Sequence, residues 1–561
     1  MSADKLIPTL EKLKRSFGTT DTKFLHSLTS LSKSKISDAQ LLDRFHEALL
    51  FLRAYPPSAR VLKLVEQILR DFPNRISQLR ESDDDLSPLD DPEVSGIAGT
   101  SVTSNFSYVL VRWLVAKYPN QVSIDWDWIE NEEQFGTTMS RFLPLLEEDA
   151  MVEAHVPYRE WLTAAKGRKR ELSWLIERFE SLPVGDRRKA ELYDSLKLHV
   201  TWRFGFRSSR TGMKLLPRKI FFHDKPLIRR RDISLTSELD SPQIPVERLS
   251  RAKGEKILDL ARETSAVRYR ELHGFTYGDP ARVLKADLGR GTEAFVMGVT
   301  AEHRLPLRAY HAALIFKNGV PVAYFEGLSI FERMESGFNL YYTFRDGETA
   351  WLYARTLRLM RQLLGVTVFS IDPYQIGHEN EEGIASGAFW FYRKLGFRPV
   401  RRELMKLTDV EERRIAKDRR HRSSPRTLRK LATGHMLYEL AGRTESGEWD
   451  RFAVRNLGLA IQSRMGRHFD GSASQMRKDS IAFVRSALNL TKRPESKALN
   501  DLALVFAMIP DLKNWDTSDR NLAAQIIAAK ISSDEAIYLQ KMQKHASLRA
   551  ALIRLGSDRT N

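Results

Sequence analysis

One stretch in the second half of the chain decides the predicted fold. Residues 337–400 read GFNLYYTFRDGETAWLYARTLRLMRQLLGVTVFSIDPYQIGHENEEGIASGAFWFYRKLGFRPV. Alternating apolar and polar residues predict a strand over 337–344, and a short polar turn centred on Gly347 follows it. Apolar residues at helical spacing predict a helix over 350–364, with Gly365 as its C-terminal cap. The remaining predicted elements are a buried strand over 366–371, a helix over 385–395 and a strand over 397–400.

The turn at Gly347 predicts an anion-binding site. A turn that leads into a helix leaves the first backbone N–H groups unpaired, and the helix dipole adds partial positive charge there. Such an end can hold a phosphate or a pyrophosphate, and Arg345 would add a charge-assisted donor. We therefore expect the phosphates of a carrier to bind at Arg345, Gly347, Thr349 and Ala350.

Two short motifs in this stretch resemble those of a known family. The segment FYRKLGF at 391–397, with Ala388 four residues before Tyr392, resembles the A-x-x-x-Y-x-K-x-G-F segment of the GNAT superfamily of N-acetyltransferases. The segment RDGETA at 345–350 is similar to the pyrophosphate loop of that family, R/Q-x-x-G-x-G/A, with Glu348 at the glycine position.

The resemblance covers about residues 250–408 and implies an α+β fold, a mixed-sheet domain like that of acyl-CoA N-acyltransferases, flanked by mostly helical regions. It also implies acetyl-CoA or another acyl-CoA as co-substrate, and Tyr392 as the acid for the leaving thiolate. The preceding sequence agrees with this order. Strand-like runs over 309–317 and 321–330 flank Lys317-Asn318-Gly319-Val320, where the Asn-Gly pair is a strong hairpin signal.

Glu326 is the candidate general base for the proton of an attacking amine. A carboxylate within an apolar strand is costly unless it is paired or used, and burial would raise its pKa towards a useful range. Glu335, Asp372 and His378 are weaker candidates, of which Asp372 ends a predicted buried strand. The structural alternatives are an outward-facing position for Glu326 and a packing role for the ring of Tyr392.

Composition excludes several classes of site. The chain has 561 residues, enough for roughly three or four domains. Because it has no cysteine, it has no disulfide, thiol nucleophile or cysteine-ligated metal. The histidines show no metal-binding spacing, so we expect no metal. The N-terminal residues lack the apolar core of a signal peptide, and the apolar run 108–116 is too short to span a bilayer, so we expect a soluble, cytoplasmic protein that has no membrane contact.

The predicted organisation has five regions besides an acidic linker at 81–95. These are a helical bundle at 1–80, a helical domain at 96–200, a basic, aromatic segment and linker at 201–245, the acyltransferase-like domain at 246–408 and a helical C-terminal domain at 431–561.

Two basic runs are candidate contacts for an anionic partner. Lysine and arginine number 89 against 72 acidic residues, a net charge of +17. The runs lie at 203–231, with phenylalanines interleaved, and at 413–430. Because cations bind phosphates and aromatic rings stack on bases, both runs suit RNA or tRNA. Strands with their cations in water, or a solvated helix face, are the alternatives.

Three functions fit these observations. The first is an enzyme, an N-acyltransferase that moves an acyl group, most simply acetyl from acetyl-CoA, to an amine acceptor. The second is an aminoacyl-tRNA-dependent transferase of the same fold. The third is a non-catalytic binding or scaffold protein with a degenerate acyltransferase-like domain. This third function is favoured by Glu348 in the loop and by Ala385, which stands where the family often has asparagine.

Overall fold

The computed structural model describes residues 3–14, 17, 21–82, 85–130, 132–143, 158–442, 447–490, 496–532 and 534–557. It is an α+β protein with one three-stranded and one nine-stranded sheet. Within those residues, every helix is too short or too polar to cross a lipid bilayer.

The N-terminal region is helical, as its periodicity predicts. Its helices are α1 (Ala3–Leu13), α2 (Asp21–Lys33), α3 (Ala39–Ala54), α4 (Ala59–Arg70) and α5 (Phe72–Glu81). The Asp38 carboxylate caps the start of α3 by accepting the N–H of Leu41 at 2.6 Å. Tyr55 ends α3, is fully buried and packs towards the larger sheet, so this bundle covers part of that sheet.

The next region is not purely helical, which corrects the prediction for 96–200. Its elements are β1 (Ser101–Ser104), α6 (Tyr108–Lys117), β2 (Val122–Ile129), α7 (Glu132–Met139), α8 (Tyr158–Ala165), α9 (Glu171–Glu180), α10 (Asp186–Asp194) and β3 (Leu198–Arg203). The strands form an antiparallel sheet in the order β1-β3-β2. The alternation of apolar and polar residues in VSIDWDWI could have predicted strand β2. It is a short pattern among several longer helical ones.

The nine-stranded sheet forms the centre of the molecule. It contains β4 (Val246–Arg248), β5 (Leu284–Gly289), β6 (Thr292–Gly298), β7 (Ala309–Lys317), β8 (Val320–Ile330), β9 (Arg333–Leu340), β10 (Val368–Ile371), β11 (Arg398–Pro399) and β12 (Met436–Glu439). The strand order is β11-β12-β10-β9-β8-β7-β6-β5-β4, and only β9 and β10 are parallel. The predicted β7–β8 hairpin is confirmed, because Asn318 and Gly319 both have positive φ, at 48° and 80°.

Helices pack on this sheet and connect its strands. They are α11 (Leu235–Leu239), α12 (Arg251–Ala266), α13 (His273–Thr276), α14 (Thr349–Leu364), α15 (Glu381–Ala385), α16 (Ala388–Arg393), α17 (Arg402–Lys417) and α18 (Pro425–Leu431). The predicted helix after Gly347 is α14, and Gly365 caps it with a φ of 70°.

Three predicted boundaries are wrong. Strand β9 ends at Leu340, and Tyr342–Phe344 form a 3₁₀ turn. The predicted helix 385–395 is interrupted by Gly387, which has a φ of 67° and separates α15 from α16. The predicted helical domain at 431–561 begins with strand β12, which lies between β10 and β11, so the sheet extends beyond residue 408.

The C-terminal region is helical, as predicted, and docks on the sheet. It comprises α19 (Val454–Phe469), α20 (Ala473–Ala487), α21 (Lys497–Phe506), α22 (Thr517–Ile531), α23 (Glu535–Gln543) and α24 (Ala546–Gly556). The amide of Gln543 donates to the carbonyls of Phe331 at 3.0 Å and Leu364 at 2.9 Å. These bonds tie α23 to the β8–β9 turn and to the end of α14.

Candidate functional site

The parallel pair of strands opens into a gap. Strands β9 and β10 pair from Arg333–Val368 to Glu335–Ser370, beyond which β9 continues to Leu340 against β8 alone. Divergence of neighbouring parallel strands at their carboxyl ends is a common place for a ligand in sheets of this kind. The gap is therefore where we look first for functional side chains.

One sheet face beside this gap is open to solvent. Glu326 pairs with Gly337, and Leu328 pairs with Glu335, so the four residues share that face of β8 and β9. These residues and Asn339 are half-buried. We call the strip that they form the trough.

Glu326 lies in the trough on an interior strand, with one hydrogen-bond partner among the described side chains. The buried Tyr310 hydroxyl donates to the Glu326 carboxylate and accepts the N–H of Gly274 at 3.1 Å. Burial, and then the Glu326 carboxylate, raise the pKa of Tyr310 well above its ordinary value. Tyr310 thus stays a protonated donor that orients Glu326, whose remaining lone pairs face the trough.

Tyr392 lies on the other face of the sheet. Its ring is buried in α16 against Tyr353 and Phe397, with centroid distances of 5.6 and 5.7 Å. Tyr353 bonds Ser336 at 2.9 Å, and Ser336 points away from the trough because side chains alternate along β9. Burial raises the pKa of Tyr392, so its hydroxyl stays protonated. The two predicted catalytic residues are therefore on opposite faces.

The start of α14 already holds a carboxylate. Glu348 is fully buried, and its oxygens accept from Arg290 Nη2 at 2.6 Å and from Lys317 Nζ at 3.1 Å. Burial opposes the charge on Glu348, but Lys317 and Arg290 hold its pKa below the ordinary value. Burial lowers the pKa of Lys317 to about 8. The start of α14 therefore already has a carboxylate, that of Glu348, whose charge Lys317 and Arg290 neutralise.

The four predicted phosphate-binding residues do share this helix end. Arg345 pairs with Glu382, Ala350 is buried, and Thr349 Oγ1 donates to the Arg345 carbonyl at 3.2 Å. A side chain added at Gly347 would lie 2.6 Å from the hydroxyl of Tyr55.

One amide at this helix end already has a partner. The Tyr55 hydroxyl accepts the N–H of Glu348 at 3.4 Å. The N–H of Ile228 donates to the Glu348 carboxylate at 3.2 Å. A phosphate would have to displace Tyr55 to reach the Glu348 amide, so the carrier assignment stays a prediction.

The two basic runs meet at the end of α16. Arg230 Nη1 donates to the Lys394 carbonyl at 3.3 Å. Burial, and then the charges of Arg230 and Arg422, lower the pKa of Lys394. Not every cation of the first run is on the surface, because Arg210 is buried and donates to the Ser95 carbonyl at 2.6 Å. We call the exposed cations next to these contacts in the chain the basic junction, defined by Arg229, Arg231, Lys394, Arg419, Arg420 and Arg422.

The trough also brings together the weaker candidates. Ligand atoms of Glu335, Asp372 and His435 lie within 4.8 Å of one another, whereas His378 is exposed on the loop after β10. Sequence reasoning missed His435, because it required placing β12 beside β10. A correct prediction of β12 as a strand would have placed His435 near Asp372.

The sheet domain thus holds two different carboxylates: Glu326, half-buried in the trough, and Glu348, fully buried and paired at the start of α14.

Comparisons of the chain with protein-family models, with curated proteins and with solved structures find no match.

Proposed function

We propose that the chain is an N-acyltransferase in which an amine acceptor enters the trough and Glu326 takes its proton. The observation that carries the proposal is the position of Glu326, half-buried on an interior strand, where Tyr310 is its one hydrogen-bond partner among the described residues. The order of elements, a helix, a hairpin and then a strand, turn and helix, supports it, because this order is the one that the resemblance to N-acyltransferases implies.

The reaction assigns one proton transfer to each face of the sheet. The amine nitrogen attacks the acyl carbon, a C–N bond forms, and Glu326 accepts the amine proton. The bond between the acyl carbon and the carrier sulfur or oxygen then breaks. Tyr392, protonated at neutral pH, is the residue to which the resemblance assigns the transfer of a proton to that leaving atom.

The donor class has two candidates. Acetyl-CoA follows from the resemblance, but its pyrophosphate would compete with the Glu348 carboxylate for the start of α14. The second candidate, an aminoacyl group carried by tRNA, is favoured by the basic junction beside α16, where phosphates would meet exposed cations. This donor does not need the closed helix end.

Transfer assays with the full chain test the reaction. Acetyl-CoA and charged tRNA are each offered with a panel of primary amines, and Glu326→Gln should lower kcat by about 10²- to 10⁴-fold. The matched control is Glu293→Gln on β6, whose carboxylate pairs with Lys285 at 2.6 Å away from the trough. A wild-type rate in Glu326→Gln would overturn the assignment. Absence of transfer from every donor by the folded wild type would leave the binding function instead.

Filter binding separates the donors. tRNA should bind more tightly than a random polyanion of equal length at moderate salt if RNA carries the acyl group. Equal binding of the two polyanions, with saturable binding of acetyl-CoA, would contradict the tRNA candidate.

A further inference from the structure

A small cavity opens at one end of the trough. Its volume is about 200 Å³, below the range of roughly 300–1,000 Å³ usual for drug-sized ligands. Leu328, Ile330, Phe452 and Val454 supply an apolar part of its wall. A cavity of this size and lining suits a small, partly apolar molecule.

Charged groups occupy the rest of the wall. The arginines are Arg308, Arg333 and Arg455, and the carboxylates are Glu335 and Asp372. Several of these charged groups already have partners in the protein: Arg308 pairs with Glu335 at 3.3 Å, and the buried Arg333 donates to the Phe452 carbonyl at 2.9 Å. The lining therefore presents cations and anions side by side, a pattern that matches the two opposite charges of a zwitterion.

An imidazole lies beside the carboxylates. The Nδ1 atom of His435 has no hydrogen-bond partner among the described residues. Burial, and then Arg333, lower the pKa of His435, whereas the charges of Asp372 and Glu335 and a backbone hydrogen bond at Ile371 oppose that shift. One ring nitrogen and one oxygen of each carboxylate lie within 4.8 Å of one another, so a cation with several N–H donors could bond to all three groups.

We propose that this cavity binds the acceptor as a zwitterion, an α-amino acid with an apolar side chain such as leucine. Its ammonium group is held by Glu335, Asp372 and His435, and its carboxylate is matched by Arg308 and Arg455. An isolated divalent metal ion fits less well, because it would add two charges beside three arginines. This assignment rests on the proposed transfer and names its acceptor class.

The position of the cavity suits that role. Glu335 and Leu328 are directly paired, and the Glu326–Gly337 pair is the next one on the same face. Two residues along a strand span about 7 Å. An amine held at Glu335 is thus one side-chain step from Glu326. The ammonium form first loses one proton to water, and Glu326 takes the second proton as the C–N bond forms.

Calorimetric titration of the full chain with L-leucine tests the proposal without any donor. L-Leucinamide lacks the carboxylate and 4-methylpentanoate lacks the amine, so each should bind at least ten-fold more weakly than L-leucine. Asp372→Asn should lose at least ten-fold in affinity, yet its amide oxygen can still accept the N–H of Tyr374, which bonds Asp372 at 2.9 Å in the wild type. Asp409→Asn, exposed on α17, is the control.

The outcomes separate this proposal from the transfer itself. Binding of L-leucine in the expected order, in a protein that transfers from no donor, would support the cavity and reject the transferase. Transfer that depends on Glu326, without L-leucine binding, would reject the cavity. Binding of Zn²⁺ or Mg²⁺ that Asp372→Asn removes, with no L-leucine binding, would overturn the proposal in favour of a metal site.

Discussion

Glu348 and Glu326 belong to the same sheet domain but have opposite surroundings. Glu348 is fully buried, and Lys317, Arg290 and the Ile228 N–H satisfy its oxygens. Glu326 is half-buried and bonded by one tyrosine hydroxyl. A carboxylate with every lone pair satisfied is fixed, whereas one with free lone pairs in an open trough can accept a proton.

This contrast explains why the turn at Gly347, which has the clearest sequence signal, is less accessible to a ligand than the trough. The sequence predicts that the helix dipole at the start of α14 attracts a carrier phosphate, but the residue at this end, Glu348, already carries a negative charge that Lys317 and Arg290 neutralise. This helix end then stabilises the contact between the N-terminal bundle and the sheet through Tyr55.

The largest expected effect is a loss of stability when the buried Glu348 is removed. Glu348→Ala leaves the buried Lys317 without its anion, so the free energy of unfolding should fall by about 3–5 kcal/mol, measured by urea denaturation. Glu381→Ala removes an exposed partner of Arg429 and should leave the unfolding midpoint unchanged. An unfolding curve of Glu348→Ala that overlays the wild type would show that this end is not held by the ion pair.

A smaller effect is expected on the acid. Tyr392→Phe removes the proton for the leaving atom, so kcat should fall by about 10²-fold or more with the fold unchanged. Tyr438→Phe is the matched control, because its ring packs on the same Phe397 at 5.6 Å and its hydroxyl bonds Thr236 instead. Equal kcat in Tyr392→Phe and the wild type would assign that ring to packing alone.

The buried start of α14 should also affect how the free energy of unfolding depends on pH, through His223. Burial, and then Lys317, lower the pKa of His223 to about 3 from 6.5. Between pH 6.5 and about 3, His223 is protonated in the unfolded chain but not in the folded one. Its contribution to the free energy of unfolding is therefore complete above pH 6.5 and is lost as the pH falls towards 3. His223→Phe should flatten the acid side of a plot of unfolding free energy against pH. A slope as steep as that of the wild type would contradict the assigned pKa.

The smallest expected effect concerns the basic junction. The double variant Lys394→Ala, Arg422→Ala should weaken tRNA binding several-fold and lower the salt dependence of log K by roughly one to two. Lys253→Ala, exposed on α12, should change neither quantity. An unchanged salt dependence in the double variant would move RNA binding away from this surface.

Local signals in the sequence predicted the centre of the sheet well. Strand β7, the Asn318-Gly319 turn, α14 and its cap Gly365 each follow from neighbouring residues. Strand β12 and the break at Gly387 did not, because a short apolar run suits a helix or a strand and only the sheet decides between them.

The site was predictable only in part. The sequence identified Glu326 as an ionisable residue in an apolar strand, and it identified Glu335 and Asp372 singly. The bond from Tyr55 to Glu348 joins residues 293 positions apart, so no local pattern reveals that the helix end is closed. Likewise His435 reaches Asp372 only through strand pairing.

Chemical rescue tests the contrast between the two glutamates most directly. Transfer is measured for Glu326→Ala with and without added formate, which can occupy the emptied space in the open trough and accept the amine proton. We expect formate to restore a measurable part of the lost rate in Glu326→Ala and none in Glu348→Ala. Transfer by Glu326→Ala at the wild-type rate without formate, or a lost rate that formate does not restore, would contradict the role of Glu326 as the base.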